Sequence, residues 1–268
     1  MPSHTVLEFS SHTDIGLVRS HNEDAIGICP ELGLVVLADG MGGYNAGEVA
    51  SQMSVDIVCE QIKQKQASSW MPRLPWQSST PEKWINEAIT QANSRVIDVA
   101  GKNPDNFGMG TTIVVAMPYY DKLVIGHVGD SRVYRFRDDF IELITKDHSV
   151  LQSQIDAGLI SEAEALYSPI KNLITRAVGS SDEIEVEIHD HQMKQGDVYL
   201  LCSDGLSDML DHLHMQQVLR DQVQDLDMCC KTLVYMANRN GGVDNISVVL
   251  IRVVELHERS IMEYIFAS

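Results

Sequence analysis

The feature that most constrains this chain is an apolar run that stops on an acid. Residues 32–50 read LGLVVLADGMGGYNAGEVA. Positions 33–38 carry no polar side chain, which predicts a strand buried on both faces rather than one lying on a surface sheet. The run ends in Asp39-Gly40, with Gly42 and Gly43 close behind and a pattern of helical period after them. One Asp-Gly after a strand is a common turn. Here the arrangement recurs. LVIGHVGD ends on Asp130, DVYLLCSDG ends on Asp204-Gly205, GGVDN sets Asp244 just ahead of another apolar run, and RSHNEDA places Glu23 and Asp24 between two expected strands.

Carboxylates gathered at one edge of stacked sheets would repel one another and lose hydration. Hard divalent cations relieve both penalties, because Mg²⁺ and Mn²⁺ favour carboxylate, backbone carbonyl and water oxygens. On this reading Gly40 lets a backbone carbonyl face an ion, while Gly42 and Gly43 keep bulk away from whatever binds there. The chain has 20 Lys plus Arg against 38 Asp plus Glu, a formal charge of −18. Such a field repels nucleic acid and anionic membranes and attracts cations. The glycines do not fit a Walker phosphate loop, and the spacing of an EF-hand is missing.

A chain of 268 residues supports one large core. No apolar run is long enough to cross a bilayer, and the N-terminus lacks the basic and apolar regions of a signal peptide, so a cytoplasmic protein is expected. The five cysteines, none in a C-x-x-C pair, argue against a disulfide framework and a cysteine zinc site. Strands are expected around 6–9, 26–29 and 33–38, followed by a helix with Ala46, Ala50, Met53 and Ile57 on one face. Residues 67–81, with three prolines and two tryptophans, read as a loop. Thr80-Pro81-Glu82 starts a second helix, running to about Ala100 with Ile85, Ile89, Ala92 and Val96 inward. Residues 110–143 read as a meander of hairpins. A capping box at 161–164 starts a short helix. Strand returns over 185–202, two amphipathic helices cover about 206–222 and 226–239, and a last strand fills 246–254. Consecutive antiparallel runs with paired helices define an α+β protein.

Taken in order, TDIGLVRSHNEDA, VVLADGMGG, GTT, VGDSRVY, KDHS, NLITRAVG, LLCSDGLSD and DNISVVLI resemble the successive motifs of the protein phosphatase 2C-type family, the metal-dependent Ser/Thr phosphatases, in the form found in its bacterial branch. The likeness spans about residues 9–254. It implies a central sandwich of two antiparallel sheets flanked by helix pairs, four layers in all, with a metal cluster at one end. It implies a single catalytic domain over 1–254, a mobile flap at about 146–180 and a tail at 255–268. Asp39 would bridge two Mn²⁺ or Mg²⁺ ions, Asp204 and Asp244 would complete the first, and the Gly40 carbonyl would bind the second. Glu23 and Asp24 would hold metal-bound waters, and a weaker third ion would use Asp130 and Asp204. The implied partners are phosphorylated proteins and a Ser/Thr kinase or its targets, with neither nucleic acid nor membrane.

The expected reaction is in-line attack on phosphorus by a water bridging two ions about 3.5–4 Å apart. Arg19 is the candidate phosphate clamp, since its planar fork can hold two phosphate oxygens. No Cys or Ser nucleophile is required, and Cys202 is expected in the core. Many relatives have His where Met41 stands, and bacterial ones often have it where Tyr44 stands, which leaves a metal-bound water as the proposed general acid. LYSPIKN (166–172) also departs from bacterial relatives, which often carry His before the Pro. His21 and His127 read as structural or exposed. The runner-up function is a pseudophosphatase or phosphopeptide-binding module on the same fold, and a third is a structural module partnering a kinase or regulator.

Overall fold

The computed structural model describes residues 5–42, 46–68, 80–165, 168 and 173–256. Gly43, Tyr44, most of the loop at 67–81, most of 166–172 and the tail from 257 onward lie outside them.

In chain order the elements are β1 (Val6–Asp14), β2 (Asp24–Cys29), β3 (Leu34–Met41), α1 (Ala46–Ser68), α2 (Pro81–Lys102), β4 (Gly110–Thr111), β5 (Ile113–Tyr119), β6 (Lys122–Val128), β7 (Arg132–Arg137), β8 (Phe140–Leu143), α3 (Val150–Asp156), α4 (Glu162–Ala165), β9 (Glu187–Gln192), β10 (Val198–Cys202), α5 (Asp204–Ser207), α6 (His212–Gln222), α7 (Leu226–Arg239) and β11 (Ile246–Glu255). Two antiparallel sheets form, ordered β1-β11-β10-β7-β8 and β2-β3-β5-β6-β9, with β4 paired to β3.

The period of two along each strand builds three cores. In β3, Leu34, Val36 and Ala38 face α1 and α2, while Val35 and Leu37 face the other sheet. In β11, Ile246, Val248 and Leu250 face α6 and α7, while Val249, Ile251 and Val253 turn to the shared layer. Residues 34–38 are fully buried, as an unbroken apolar run requires. Ile85, Ile89, Ala92 and Val96 of α2 are fully buried too. Burying one such aliphatic side chain is worth about 1.5–3 kcal/mol, which is why the helices clasp the sheets from outside. The result is an α+β sandwich of four layers.

Three sequence expectations need correction. The meander over 110–143 is divided between sheets: β5 pairs with β6, β7 pairs with β8, but β6 and β7 belong to different sheets. Gly129, at φ +106, turns the chain across, and Thr112 sits where its side chain would be. The strand expected over 185–202 is also two, β9 and β10, one in each sheet. Asp197 holds the crossing turn, accepting the Lys194 N–H at 2.7 Å and both arms of Arg137. The helix expected over 206–222 begins only at His212, where the Asp211 carboxylate caps the His214 N–H at 2.9 Å. The single turn of α5 precedes it. The capping box at Ser161 and Glu164 is present in both directions, with Glu164 accepting from Ser161 N–H and Ser161 Oγ accepting from Glu164 N–H.

Candidate active site

The crossing at Gly129 and the ends of β3, β10 and β11 bring the acidic residues together. Asp39 is carried by β3, Asp130 follows β6, Asp204 opens α5 after β10, and Asp244 precedes β11. These four, with Arg19, Glu23, Gly40, Met41, Gly42, Thr112 and Ile174, line one cavity of about 230 Å³. Carboxylates sharing one cavity make an arrangement suited to divalent cations. Asp24 is the expected site residue not among the lining groups. It lies opposite Asp39 in the β2–β3 register and is held from behind by Ser203 Oγ at 2.9 Å.

Several polar side chains without charge set the acids in place. Thr112 grips the Asp39 backbone from both sides: its N–H donates to the Asp39 carbonyl at 2.8 Å, and its Oγ1 accepts the Asp39 N–H at 3.1 Å. Thr111 Oγ1 donates to the same carbonyl at 2.8 Å. Thr112 Oγ1 also meets Ser131 Oγ at 2.7 Å, tying β3 to the Asp130 turn. Ser203 accepts the Ser247 N–H at 3.0 Å, joining the turns that bear Asp204 and Asp244. Asn245 Oδ1 accepts the Glu23 N–H at 2.8 Å, and its amide donates to the Ile15 and His21 carbonyls, both at 2.9 Å. These residues occur in the quoted motifs, but their hydroxyl and amide roles need the folded neighbours to be seen.

Gly40 has a steric reason beyond freeing its carbonyl. A Cβ there would lie 2.2 Å from the Gly47 carbonyl oxygen and 2.6 Å from that of Glu23. The absence of a side chain lets α1, β2 and β3 meet at the cavity wall.

Without cations, burial and neighbouring carboxylates raise the pKa of several of these acids. Burial, then Asp24, Asp204, Asp130 and Asp244, drives the Asp39 carboxyl well above its ordinary range. Burial pushes Asp24 up to about 7 against the hydrogen bonds from Ser247 and Ser203. Burial followed by Asp204 raises Asp130 to about 7, and burial followed by Asp244 raises Asp204 to about 6. Burial also raises Glu23. Asp24 Oδ1 is buried with no hydrogen-bond partner among the described residues. An all-oxygen donor set with an orphaned buried carboxylate oxygen fits hard divalent cations such as Mg²⁺ and Mn²⁺.

Arg19 stands at the mouth with its side chain 52% exposed, paired to Asp244 Oδ2 at 2.7 Å. That hydrogen bond raises its already high pKa. His21 is exposed and contributes only its backbone carbonyl to the Asn245 network. His127 is fully buried and does not line the cavity. Cys202 is fully buried, and burial pushes its thiol up to about 12, so it is a core residue.

A four-layer sandwich with an acidic cleft across one end can bind divalent cations and, through them, an anionic group. Residues 11–233 match the protein phosphatase 2C family, and the chain belongs to it. It is 34% identical over 254 residues to the serine/threonine phosphatase stp of Listeria innocua, covering 94% of this chain and 95% of that one. It is 35% identical over 250 residues to the serine/threonine protein phosphatase PstP of Mycobacterium tuberculosis, covering 93% of this chain and 46% of that longer protein. The crystal structure of the M. tuberculosis PstP/Ppp phosphatase superposes with a TM-score of 0.83 at 34% identity, over 93% of this chain and all (100%) of that one. The catalytic domain of PstP in complex with two manganese ions superposes with a TM-score of 0.80 at 34% identity, over 94% of this chain and 100% of that one.

Proposed function

We propose that the protein is a divalent-cation-dependent phosphatase that removes phosphate from phosphoserine and phosphothreonine in proteins. The observation that carries this reading is the convergence of Asp39, Asp130, Asp204, Asp244, Glu23, Gly40 and Arg19 on one cavity. Two cations, when bound, would supply Lewis-acid activation of water and neutralise the phosphoryl charge.

Asp39 and the Gly40 carbonyl are proposed to hold these ions with Asp204 and Asp244, and Asp130 with Asp204 to serve a third, weaker one. Mn²⁺ and Mg²⁺ suit the donors equally. Glu23 at the cavity wall and Asp24 beside Asp39 are proposed to orient water, held by Asn245 and Ser203. Arg19 clamps the phosphate. Its pairing with Asp244 makes the clamp conditional: were Asp244 to hold a cation, the Arg19 guanidinium fork would be free for two phosphate oxygens. Met41, which lines the cavity, has no proton to donate, so the leaving group takes its proton from water.

Residues 1–254 form the catalytic unit in this reading, and the protein acts in the cytoplasm on phosphoproteins, with a Ser/Thr kinase or its targets as partners. No helix among the described residues is long and apolar enough to cross a membrane. With Mn²⁺ present, purified protein is expected to hydrolyse p-nitrophenyl phosphate and phosphothreonine peptides, and Asp39→Asn to abolish both. Turnover that persists without metal, or in Asp39→Asn, would overturn the reading.

A further inference from the structure

A second group of ligand-type side chains sits away from the carboxylate cleft. β9 is the edge strand of its sheet and pairs with β6 so that His127 faces Glu187, Ile125 faces His189 and Leu123 faces His191. Alternate residues of a strand share a face. Glu187, His189 and His191 therefore lie on the face of His127, Ile125 and Leu123, and the last two belong to the aliphatic layer between the sheets. Imidazoles at the border of such a layer need partners, because a buried polar group left unpaired costs about 1–3 kcal/mol.

Those partners are incomplete. The fully buried His127 places Nε2 3.0 Å from the Lys146 carbonyl. A carbonyl can only accept, so Nε2 carries the proton and Nδ1 keeps a free lone pair. Neither that Nδ1 nor the buried Nε2 of His189 has a hydrogen-bond partner among the described residues. His148 Nδ1 accepts the Gly129 N–H at 3.2 Å, so its Nε2 donates to Glu187 Oε2 at 3.1 Å and orients that carboxylate. The other oxygen, Oε1, is 3.7 Å from His189 Nε2. One donor atom from each of His127, Glu187 and His189 lies within 4.8 Å of the other two.

We propose that His127, Glu187 and His189 form a binding site for a borderline divalent transition ion, with Zn²⁺ the best match, separate from the carboxylate cleft. Two imidazoles and one carboxylate make a nitrogen-rich donor set, which selects Zn²⁺ over Mg²⁺ or Mn²⁺. Bonds of about 2.0–2.2 Å require the donor atoms to draw in by roughly 1 Å, within reach of side-chain rotation. The outer contacts are of the kind that orient metal-bound ligands: a backbone carbonyl on the far nitrogen of His127 and an imidazole N–H on the carboxylate. Three protein ligands leave a fourth position, which opens toward solvent where Glu187 and His189 are 33% and 27% exposed. The ion would pin the edge strand β9 to β6 and, through Lys146 and His148, fix the segment that borders Gly129. This inference does not depend on the phosphatase reading.

The test uses full-length protein saturated with Mn²⁺, titrated with Zn²⁺ by calorimetry, with both metals counted after desalting. One zinc per chain is expected beside the manganese. His189→Ala, a partly exposed change on an edge strand, should weaken zinc binding about tenfold or more, whereas Asp39→Asn should leave it unchanged. Zinc should also raise the melting temperature of the wild-type protein but not of His189→Ala. Equal zinc binding in wild type and His189→Ala would overturn the assignment, as would zinc that only replaces manganese or is lost in Asp39→Asn.

Discussion

Asn245 fastens the wall of the cleft, and its removal gives a calculable loss. The residue is 5% exposed and holds three backbone groups at 2.8–2.9 Å: the Glu23 N–H and the Ile15 and His21 carbonyls. Together these fix the segment that carries Arg19 and Glu23. A hydrogen bond contributes about 0.5–1.5 kcal/mol net, and a buried group left unpaired costs more. Ile15 and His21 are exposed enough to regain water, so Asn245→Ala should cost about 2–4 kcal/mol. Asn245→Asp keeps the acceptor but turns two donors into a charged oxygen facing two carbonyls, and should cost at least as much. Urea unfolding measures the loss as a lower midpoint at constant slope. Because Glu23 is freed, Mn²⁺ affinity should fall as well. A loss below about 1 kcal/mol in both variants, with unchanged Mn²⁺ affinity, would refute the view that Asn245 organises this wall.

Other expectations are sharper on function. Arg19→Ala should raise KM for a phosphopeptide about tenfold, ~1.4 kcal/mol, while Mn²⁺ binding stays intact; an unchanged KM removes Arg19 from the clamp role. Asp130→Ala should lower metal stoichiometry and activity while the protein stays folded, and calorimetry that counts the same ions as wild type would cancel the third site. Metal-stripped protein should lose stability as pH rises. Asp24, Asp130 and Asp204 have folded pKa values of about 7, about 7 and about 6, all above their ordinary 3.8. Between about pH 4 and pH 7 the folded state thus holds protons that the unfolded state has released, and its melting temperature falls through that window. Saturating Mn²⁺ should remove the decline; a melting temperature that rises with pH in chelator would contradict the electrostatics assigned to the cleft.

The strand cores and the acids at their ends were legible because both follow from local patterns. The unbroken run before Asp39 could only be a doubly buried strand, and Thr80-Pro81 could only open a helix. The crossings between sheets were not legible. A hairpin pattern looks the same whether the next strand stays in its sheet, as β6 does after β5, or leaves it, as β7 does after β6. That choice is made by Gly129 against Thr112 and by Arg137 on Asp197, contacts distant in sequence. Asp24 shares the sheet face of Asp39, its partner in the β2–β3 register, yet it stays outside the cavity lining and bonds to Ser203, a contact that the sequence alone does not show. The histidine cluster was missed for a similar reason. His127 alone says little, and the signal was the alternation of Glu187, His189 and His191 sixty residues later, which gains meaning only from the β6–β9 register.

Diffraction from crystals grown with Mn²⁺, recorded where manganese scatters anomalously, bears most directly on how the cleft works. Two strong peaks are expected between the carboxylates of Asp39, Asp204 and Asp244, with Asp39 touching both and Arg19 released from Asp244. A cleft without peaks, or manganese bound only at sites that Asp39 does not reach, would contradict the account.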